Sequence, residues 1–214
     1  MPNERSVVIA ALFSLALLSG CSSPKPASTT ENKMAETKPA FQPEFVTGRE
    51  ALQKMYVAAR AKAADVKPYS LQSIATKEAN GQDGKSGIWG AGFASPSRRA
   101  VRVFTFSGLK SDDAPEPGIS ATPEDTYNPA NTSTAVFDMA FLKVDSDEAL
   151  KTALKHGGDK LIAKDKETKL FYALNWNARE SKLVWRILLG ADQNNPKLAV
   201  DVDATSGTFM KVEK

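Results

Sequence analysis

Residues 182–207 read KLVWRILLGADQNNPKLAVDVDATSG, and apolar and polar side chains alternate twice along this stretch. The first run places Trp185 and Ile187 on one face, and the second places Val200 and Val202 on one face. A period of two is typical of a strand with one buried side, and the Asn-Asn-Pro segment between the runs is typical of a turn. The stretch therefore predicts two antiparallel strands, at residues 182–190 and 198–203.

The residues on either side of this pair extend the sheet. Ser206-Gly207 predicts a tight hairpin turn into another strand at residues 208–212. Residues 169–176 are rich in aromatic and aliphatic side chains and predict a strand earlier in the chain.

A helix is predicted before these strands. Asp145 and Glu148 have the spacing of a capping box. His156 followed by two glycines is typical of a helix C-terminus, where a basic side chain and a left-handed residue are both favoured. The apolar stripe of this helix consists of Ala149, Leu150, Ala153 and Leu154.

A similar series of elements lies earlier in the chain. Thr47 and Glu50 predict a capping box, and the helix that follows is expected to end before Pro68. Its apolar stripe is Leu52, Met55, Tyr56, Ala59 and Ala63. The strands predicted after it lie at residues 69–76, 88–93 and 100–106.

Matching residues recur in the two halves at a nearly constant offset. Glu50-Ala51-Leu52 corresponds to Glu148-Ala149-Leu150, Trp89 to Trp185, and Val101-x-Val103 to Val200-x-Val202. A repeated order at a fixed spacing indicates an internal duplication. We therefore expect an α+β fold of two tandem repeats, 46–144 and 145–214. Each repeat has one helix packed on a three- to four-stranded antiparallel sheet, and the repeats join face to face or edge to edge.

The first repeat carries an insertion at about residues 107–134, where the second has only a tight turn. The insertion is rich in proline and acidic residues and precedes a strand predicted at residues 135–144. A structureless stretch of this length is either functional or disordered. We expect disorder, with a partner-contact loop as the alternative. The acidic side chains of that loop are Asp112, Asp113, Glu116, Glu124 and Asp125.

The second repeat resembles the PepSY domain. That family has a Trp-containing strand followed by a strand of the form V-x-V-D-A-x-x-G, which Trp185 and residues 200–207 match, with Asp203 in the aspartate position. The first repeat matches poorly, because residues 104–106 replace the Val-Asp-Ala segment and two glycines interrupt its Trp strand. The resemblance implies a helix-on-sheet module that binds proteins or modulates peptidases outside the cytoplasm, and it transfers no catalytic residue.

The first 45 residues are predicted to export and tether the protein. Residues 7–18 are apolar, and as a helix they would rise only ~18 Å, less than the ~30 Å of a hydrocarbon core. Such a run after Arg5 is typical of a cleaved signal peptide, residues 1–20. Leu18-Ser19-Gly20-Cys21 resembles the lipobox of bacterial lipoprotein precursors, which implies a lipid on Cys21, the single cysteine of the chain. Residues 21–45 are predicted to be a disordered tether.

Motifs for catalysis or metal binding are not favoured. Residues 79–86 have the loose pattern of a phosphate-binding loop, but a glycine-rich strand follows where a helix N-terminus is needed. Asp201 and Asp203 begin like an EF-hand loop but lack its glycine and glutamate. His156 is the single histidine, which disfavours zinc sites and catalytic triads.

The tryptophans and the charge distribution also favour structural roles. Trp89, Trp176 and Trp185 are predicted to be core residues, with a ligand groove as the alternative. The net charge is +3, and its densest basic group is Arg98, Arg99 and Arg102. A nucleic-acid groove would need a larger patch with stacking aromatic side chains, so nucleic acid is not an expected partner.

These features predict a membrane-tethered, non-enzymatic binding protein of the cell envelope. Its expected partners are the membrane, through Cys21, and another envelope protein or a peptide. A structural or assembly lipoprotein is the alternative, and a hydrolase that uses acidic residues is the third possibility. Ser22 implies an outer-membrane anchor facing the periplasm if the host has two membranes. We expect no cofactor, metal or nucleotide.

Overall fold

Strands make up most of the folded body, and every strand pairing among the described residues is antiparallel. The computed structural model describes residues 41–74, 76–112 and 114–213. The α-helices in these ranges are α1 (Gly48–Arg60), α2 (Ser146–Ala153) and α3 (Asp159–Lys164). The strands are β1 (Val46–Thr47), β2 (Lys67–Ser73), β3 (Lys85–Ser86), β4 (Ile88–Ser95), β5 (Ala100–Ser107), β6 (Gly118–Ala121), β7 (Asp125–Thr126), β8 (Lys169–Asn177), β9 (Lys182–Gly190), β10 (Leu198–Asp203) and β11 (Phe209–Glu213).

Several predictions concern residues that the structure does not describe. The predicted signal peptide at 1–20, the lipidation residue Cys21 and the predicted tether as far as residue 40 lie outside the described ranges, as does Asp113.

One sheet runs through both halves of the chain. Its strand order is β11-β10-β9-β8-β2-β4-β5-β6, with β7 pairing another part of β5, and β1 and β3 form a separate ribbon. The first long strands of the two halves, β2 and β8, pair in the middle, where Leu71 lies opposite Leu174. The expected combination of helices with an antiparallel sheet is confirmed. The structure does not show two repeats with one helix and one small sheet each, because the strands of both halves form one continuous sheet and the second half carries both α2 and α3.

One face of this sheet and the helices enclose a single core. The strands contribute alternate residues, which is the pattern of a sheet with one buried face. They are Leu71, Trp89, Ala91, Phe93, Phe104, Phe106, Leu170, Tyr172, Leu174, Leu183, Trp185, Ile187, Leu189, Leu198, Val200 and Val202. Leu52 and Leu150 of α1 and α2 fill the core, and Leu161 of α3 packs against it. Within the part of the chain that the structure describes, the helices therefore cover one face of the sheet, and the other face carries no helix.

Two tryptophans anchor the core at equivalent positions. Trp89 and Trp185 are both 0% exposed. The indole N–H of Trp89 donates to the Val46 carbonyl at 3.1 Å, and that of Trp185 donates to the Val144 carbonyl at 2.9 Å. Each acceptor lies just before a helix, so each indole ties a helix start to the sheet. The prediction that these two tryptophans are core residues is confirmed.

The capping box predicted at the start of α1 is wrong. Thr47 makes no side-chain hydrogen bond to the helix. Instead, the Gly48 N–H donates to Ser146 Oγ at 2.8 Å and the Arg49 N–H donates to Asp145 Oδ1 at 2.9 Å. Both acceptors come from the start of α2. A segment almost a hundred residues away therefore accepts the hydrogen bonds that the local spacing assigned to Thr47.

The start of α2 follows the prediction, and its end follows it in part. Asp145 and Glu148 form the capping box with both hydrogen bonds present. Gly157 has φ +112°, the left-handed conformation expected of a glycine there. The helical chain does not stop at this kink, because α3 begins at Asp159.

The described part of the insertion, residues 107–112 and 114–134, contains two strands, which corrects the expectation of disorder. Its strands β6 and β7 add to the edge of the sheet, with Ile119 opposite Phe106 and Asp125 opposite Val101. Both strands form backbone hydrogen bonds with the edge of β5, which would otherwise be unpaired. The sequence of the insertion does not indicate that β5 is its pairing partner.

The strand predicted at residues 135–144 is absent from the described structure. Short 3₁₀ helices lie at Thr132–Thr134 and Met139–Phe141 instead. The side chain of Asn131 accepts from the Ser133 N–H, and that of Asp138 accepts from the Ala140 N–H. Such local bonds compete with strand formation and start turns.

The chain joins the folded body earlier than predicted. The Glu44 N–H donates to the Gly108 carbonyl at 2.8 Å, and the Glu44 carboxylate pairs with Lys54 of α1. The predicted tether therefore ends before residue 45.

Candidate functional site

The acidic residues predicted as a partner-contact loop do not form one site. Asp112 and Glu116 are exposed on the insertion, and Asp113 lies outside the described residues. Asp125 is exposed in β7, and its carboxylate accepts from the Thr126 N–H at 2.6 Å.

Glu124 is held by the protein itself. Both of its carboxylate oxygens accept from Arg98 Nη2 at 2.9 Å, and Arg102 lies 3.4 Å from the same carboxylate. Two guanidinium groups, Arg98 in the turn between β4 and β5 and Arg102 in β5, therefore pair with the segment between β6 and β7. Glu124 thus contributes to the chain's own structure.

Asp201 and Asp203 share a face of β10, as predicted, but cations already hold them. Asp201 Oδ2 lies 3.5 Å from both Arg186 and Lys211, and Asp203 Oδ2 lies 3.1 Å from Lys182. These ammonium and guanidinium groups are the ionic partners of the two carboxylates. Within the described ranges, no group of three or more His, Cys, Asp or Glu side chains is placed to hold a metal ion.

The two carboxyls differ in their acidity. Burial raises the pKa of Asp201 above its ordinary value, against the lowering effect of Arg186 and Lys211. Burial also acts to raise the pKa of Asp203, but hydrogen bonds from the Thr205 N–H, Lys182 and other neighbours outweigh it, so the pKa is lowered. Asp203 is therefore ionised at neutral pH and fixes the turn that follows β10.

The remaining sequence motifs also have structural roles. The imidazole of His156 stacks on the Phe209 ring, with centroids 3.7 Å apart. Lys85 and Ser86 of the phosphate-loop-like segment form β3, which pairs with β1. No helix N-terminus follows them, so the geometry that binds phosphate is not formed.

The most densely bonded polar cluster lies where the starts of α1 and α2 meet. Asp145 and Ser146 are 7% and 0% exposed. Ser146 Oγ donates to the Gly84 carbonyl at 2.6 Å while accepting from Gly48, and the Arg49 Nε lies 3.5 Å from Asp145 Oδ2. These bonds satisfy the buried polar atoms internally, so the cluster is a structural joint.

The hollow at the C-terminal end of α1 does not define a small-molecule site. Tyr56, Arg60 and Phe137 contribute to its lining, and its volume is about 220 Å³. Ligand sites typically have volumes of about 300–1,000 Å³ and enclose most of the ligand. A second hollow, of about 700 Å³, is lined by Phe45, Lys85 and residues 77–83, and it is wide open to solvent. Neither hollow encloses a small molecule, and a larger partner needs a broader surface.

The face of the sheet without helices is that surface, and we call it the open face. Two cross-strand rows define it, each built from residues directly opposite one another. The first row is Thr105, Gly90, Gln72, Ala173, Arg186, Asp201 and Lys211. The second row is Val103, Gly92, Ser70, Asn175, Val184 and Asp203.

One half of the open face, on β5, β4, β2 and the adjoining part of β8, has no charged side chain within its rows. We call it the uncharged patch, and it also includes Tyr69 and Ile74. Ile74 and Val103 are each 38% exposed, and the side chains of Gln72 and Asn175 are exposed. The patch is bordered by Lys67, opposite Ala94, and by Asp125 of β7.

Glycines shape the uncharged patch. A Cβ at Gly92 would overlap the ring of Tyr69, so this glycine lets the half-buried tyrosine lie against the sheet. A Cβ at Gly90 would meet only Gln72 Cγ and Ile74 Cδ1, both at 3.9 Å. Gly90 is buried, and both of these side chains lie at ordinary van der Waals distance from that Cβ position.

The other half of the open face is a network of charges, which we call the charged ladder. Its residues are Lys182, Arg186, Asp201, Asp203, Lys211 and Glu213. Each acid in it has at least one cationic partner, and Glu213 pairs with both Arg186 and Lys211. The pKa of Glu213 is lowered by hydrogen bonds from Lys211 and Arg186.

The residues of the uncharged patch are not among those that the sequence motifs single out. The period-two pattern marks which residues of a strand face the core, and the remaining positions form the other face by default. Gln72 and Val103 could have been assigned to that face on this basis. Their proximity depends on the order of the strands, which the pattern does not contain.

The comparisons with known proteins support the fold alone. No family model matches the chain, so the resemblance to the PepSY domain gains no support, and no curated protein matches it. A solved structure of a putative lipoprotein from Clostridium difficile 630 is similar in fold, with a TM-score of 0.52 and 12% sequence identity. The similarity covers 76% of this chain and 91% of the other.

The helices of the folded body are short. Among the residues that the structure describes, no helix combines the length and the apolar composition that crossing a membrane requires.

Proposed function

We propose that this chain is a lipid-anchored protein of the bacterial envelope that binds another envelope protein through the open face of its sheet, without catalysis. The observation that carries the proposal is the open face itself. It presents exposed aliphatic side chains and amide groups on a rigid sheet whose other face is held by the helices.

A protein fits this surface better than a small molecule does. The open face is a broad sheet surface without a deep pocket in the described residues, and such surfaces suit partners that bury several hundred Å² per side. Residues of the patch lie on four neighbouring strands, so their relative positions are fixed before binding. A surface organised in this way loses little conformational entropy when a partner docks.

The anchor rests on the sequence and on one similar structure. The lipobox-like segment ends at Cys21, and the fold is similar to that of a protein described as a lipoprotein. The folded body begins near residue 44, which leaves about twenty residues between it and the lipid.

The proposal includes an ancestral duplication. Val46 and Val144, which accept from Trp89 and Trp185, are 98 positions apart, and the tryptophans are 96 apart. The central strands β2 and β8 follow α1 and the helical segment α2–α3 in turn. Two copies joined through these strands account for an open face about twice as wide as one copy would supply.

The binding proposal is tested with the full-length, lipidated protein. A tagged wild-type protein and two variants are purified from detergent-solubilised envelope of the host. The first variant, Gln72→Arg with Asn175→Arg, adds charge to the open face. The control, Val57→Arg, changes an α1 side chain that is 72% exposed on the opposite side of the sheet.

The result expected is a protein that co-purifies with the wild type and the control but not with the double variant. That protein, purified separately, should bind the soluble body directly. Equal recovery with all three proteins, or recovery of nothing specific, would contradict binding through the open face.

The anchor is tested separately by labelling cells with radioactive palmitate. We expect label on the wild type and on Ser22→Ala, and none on Cys21→Ser, which should accumulate as the unprocessed precursor. Absence of label on the wild type would contradict the proposed lipid anchor on Cys21.

A further inference from the structure

We propose that Asp201 is a proton-uptake site that makes the charged ladder respond to acid. When its carboxyl takes up a proton, Arg186 and Lys211 each lose one of the two carboxylates that they face, and the ladder changes from electrically balanced to net positive. This inference goes beyond the proposed function and does not rest on it, because it concerns the ionisation of one side chain and not the binding of a partner.

The surroundings of Asp201 are unfavourable to a charged carboxylate. The residue is 6% exposed, and its Oδ1 atom is buried without a hydrogen-bond partner among the described residues. Its other oxygen, Oδ2, lies 3.5 Å from Arg186 Nη1 and 3.5 Å from Lys211 Nζ. A buried acceptor that stays unpaired loses its water without compensation, and the loss is larger when the group is charged. The ionised form is therefore poorly stabilised at one of its two oxygens.

Asp203 provides a comparison on the same face of the same strand. Its Oδ1 accepts from the Thr205 N–H at 2.8 Å and from the Ser206 N–H at 3.1 Å, and its Oδ2 lies 3.1 Å from Lys182 Nζ. The exposed fraction of Asp203 is 7%, close to that of Asp201. The two carboxyls therefore differ in hydrogen bonding although their exposed fractions are alike.

The pKa values of the two carboxyls differ in the direction that this geometry requires. The charged groups that face Asp201 from the adjacent strands are Arg186 on β9, and Lys211 and Glu213 on β11. Burial raises the pKa of Asp201 against the two cations, and Glu213 adds to the rise. Hydrogen bonds outweigh the effect of burial at Asp203 and lower its pKa. As the pH falls, Asp201 therefore takes up a proton before Asp203 does.

The proton changes the charge of the ladder without breaking it apart. At neutral pH the three cations of the ladder, Lys182, Arg186 and Lys211, match its three carboxylates. Protonation of Asp201 leaves three cations and two carboxylates, which is an excess of one positive charge. Glu213 already pairs with both Arg186 and Lys211, so the ion pair between β9 and β11 is kept. The same strands then present a cationic surface in acid and a balanced one at neutral pH.

The direct test is an NMR titration of the side-chain carboxyl carbons of Asp201 and Asp203 in the full-length protein. We expect the midpoint of Asp201 to lie above the ordinary carboxyl pKa of 3.8 and that of Asp203 to lie below it. The side-chain signals of Lys211 should shift with the midpoint of Asp201, because its ammonium group then loses an anionic partner. An Asp201 midpoint at or below 3.8, or Lys211 signals that do not follow it, would overturn the proposal.

Thermal unfolding between neutral pH and about pH 4 gives a second test. A raised pKa in the folded state means that the folded protein gains stability, relative to a variant without the charge, as the pH falls through that pKa. Asp201→Asn should therefore melt at a higher temperature than the wild type at neutral pH, and the difference should shrink as Asp201 of the wild type becomes protonated.

Asp203→Asn is the matched control, since it removes a carboxylate whose oxygens are both paired. It should melt below the wild type throughout this range of pH, because the lowered pKa keeps Asp203 ionised there. Equal losses of melting temperature in the two variants would overturn the proposal. The titration needs only the wild-type protein, so it decides the question even if Asp201→Asn does not fold.

Discussion

Asp145 Oδ1 accepts a hydrogen bond from the backbone N–H of Arg49 at 2.9 Å while it also accepts from the Ser146 N–H at 2.7 Å. One buried carboxylate thus caps two helices that belong to different halves of the chain. Both helix N-termini carry partial positive charge, which a carboxylate between them neutralises. The joint makes the stability of each half depend on the other.

Removing this carboxylate should destabilise the whole body. Asp145→Ala takes away a capping acceptor from two helices, and the expected loss in the free energy of unfolding is about 2–4 kcal/mol. Urea denaturation followed by circular dichroism measures this loss. Thr47→Ala is the matched control, with an expected change below about 0.5 kcal/mol because Thr47 caps nothing. Similar losses in the free energy of unfolding for the two variants would show that Asp145 is not the main cap of these helices.

The two glycines of β4 should respond differently to the same substitution. Gly92→Ala places a methyl group against the Tyr69 ring and should cost about 1–3 kcal/mol of stability. Gly90→Ala places it in ordinary van der Waals contact with Gln72 and Ile74 and should be close to neutral. Thermal unfolding measures both, and Tyr69→Ala should rescue Gly92→Ala. An unrescued Gly92→Ala would mean that another contact causes its effect.

Asp65 should titrate at unusually low pH. Hydrogen bonds from the Ser95 hydroxyl at 2.6 Å and the Ser97 N–H at 2.8 Å lower its pKa from 3.8 to about 2. The lowered pKa in the folded state adds stability above the unfolded pKa, and this is lost as the pH falls from about 4 through 2. NMR titration of the carboxyl measures the value directly.

Ser95→Ala is the variant that tests the cause of this shift. It should return the pKa of Asp65 towards 3.8 and flatten the dependence of stability on pH between 4 and 2. Thr105→Ala, on the neighbouring strand β5, should leave the titration unchanged. An unshifted Asp65 in the wild type would show that the Ser95 hydrogen bond does not persist in solution.

The ion pairs of Glu124 should stabilise β6, β7 and the segment between them only weakly. Arg98 and Glu124 have side chains 48% and 35% exposed, and pairs at such positions contribute about 0.2–1 kcal/mol. Glu124→Gln should therefore speed amide hydrogen exchange in β6 and β7 modestly, and 1 M salt should reduce the difference. Glu116→Gln, an exposed acid elsewhere on the insertion, should leave the exchange rates unchanged. A large global loss of stability would contradict this weak role.

Local patterns predicted the elements that depend on local forces. The strands at 182–190 and 198–203 have the predicted bounds, because alternation identifies a half-buried strand wherever its partners lie. The capping box of α2 is present because both of its residues lie within one helical turn. The glycine kink at Gly157 was foreseen for the same reason.

Patterns failed where the deciding contact was distant in the chain. Thr47 has the right spacing to cap α1, yet Asp145 and Ser146 take over that role from almost a hundred residues away. The insertion is polar and rich in proline, a composition that predicts disorder. Pairing with β5 gives its backbone the hydrogen bonds that its side chains could not supply.

The sequence by itself determined the alternation of the main strands, the amphipathic helices and the lipobox-like segment that ends at Cys21, because each depends on neighbours within a few residues. Only the tertiary structure decided that β2 pairs with β8, that one carboxylate joins two helices, and that Gly90, Val103 and Asn175 lie on one exposed face. The free energy of those contacts comes from groups brought together by the fold as a whole, and no short stretch of the chain contains both partners.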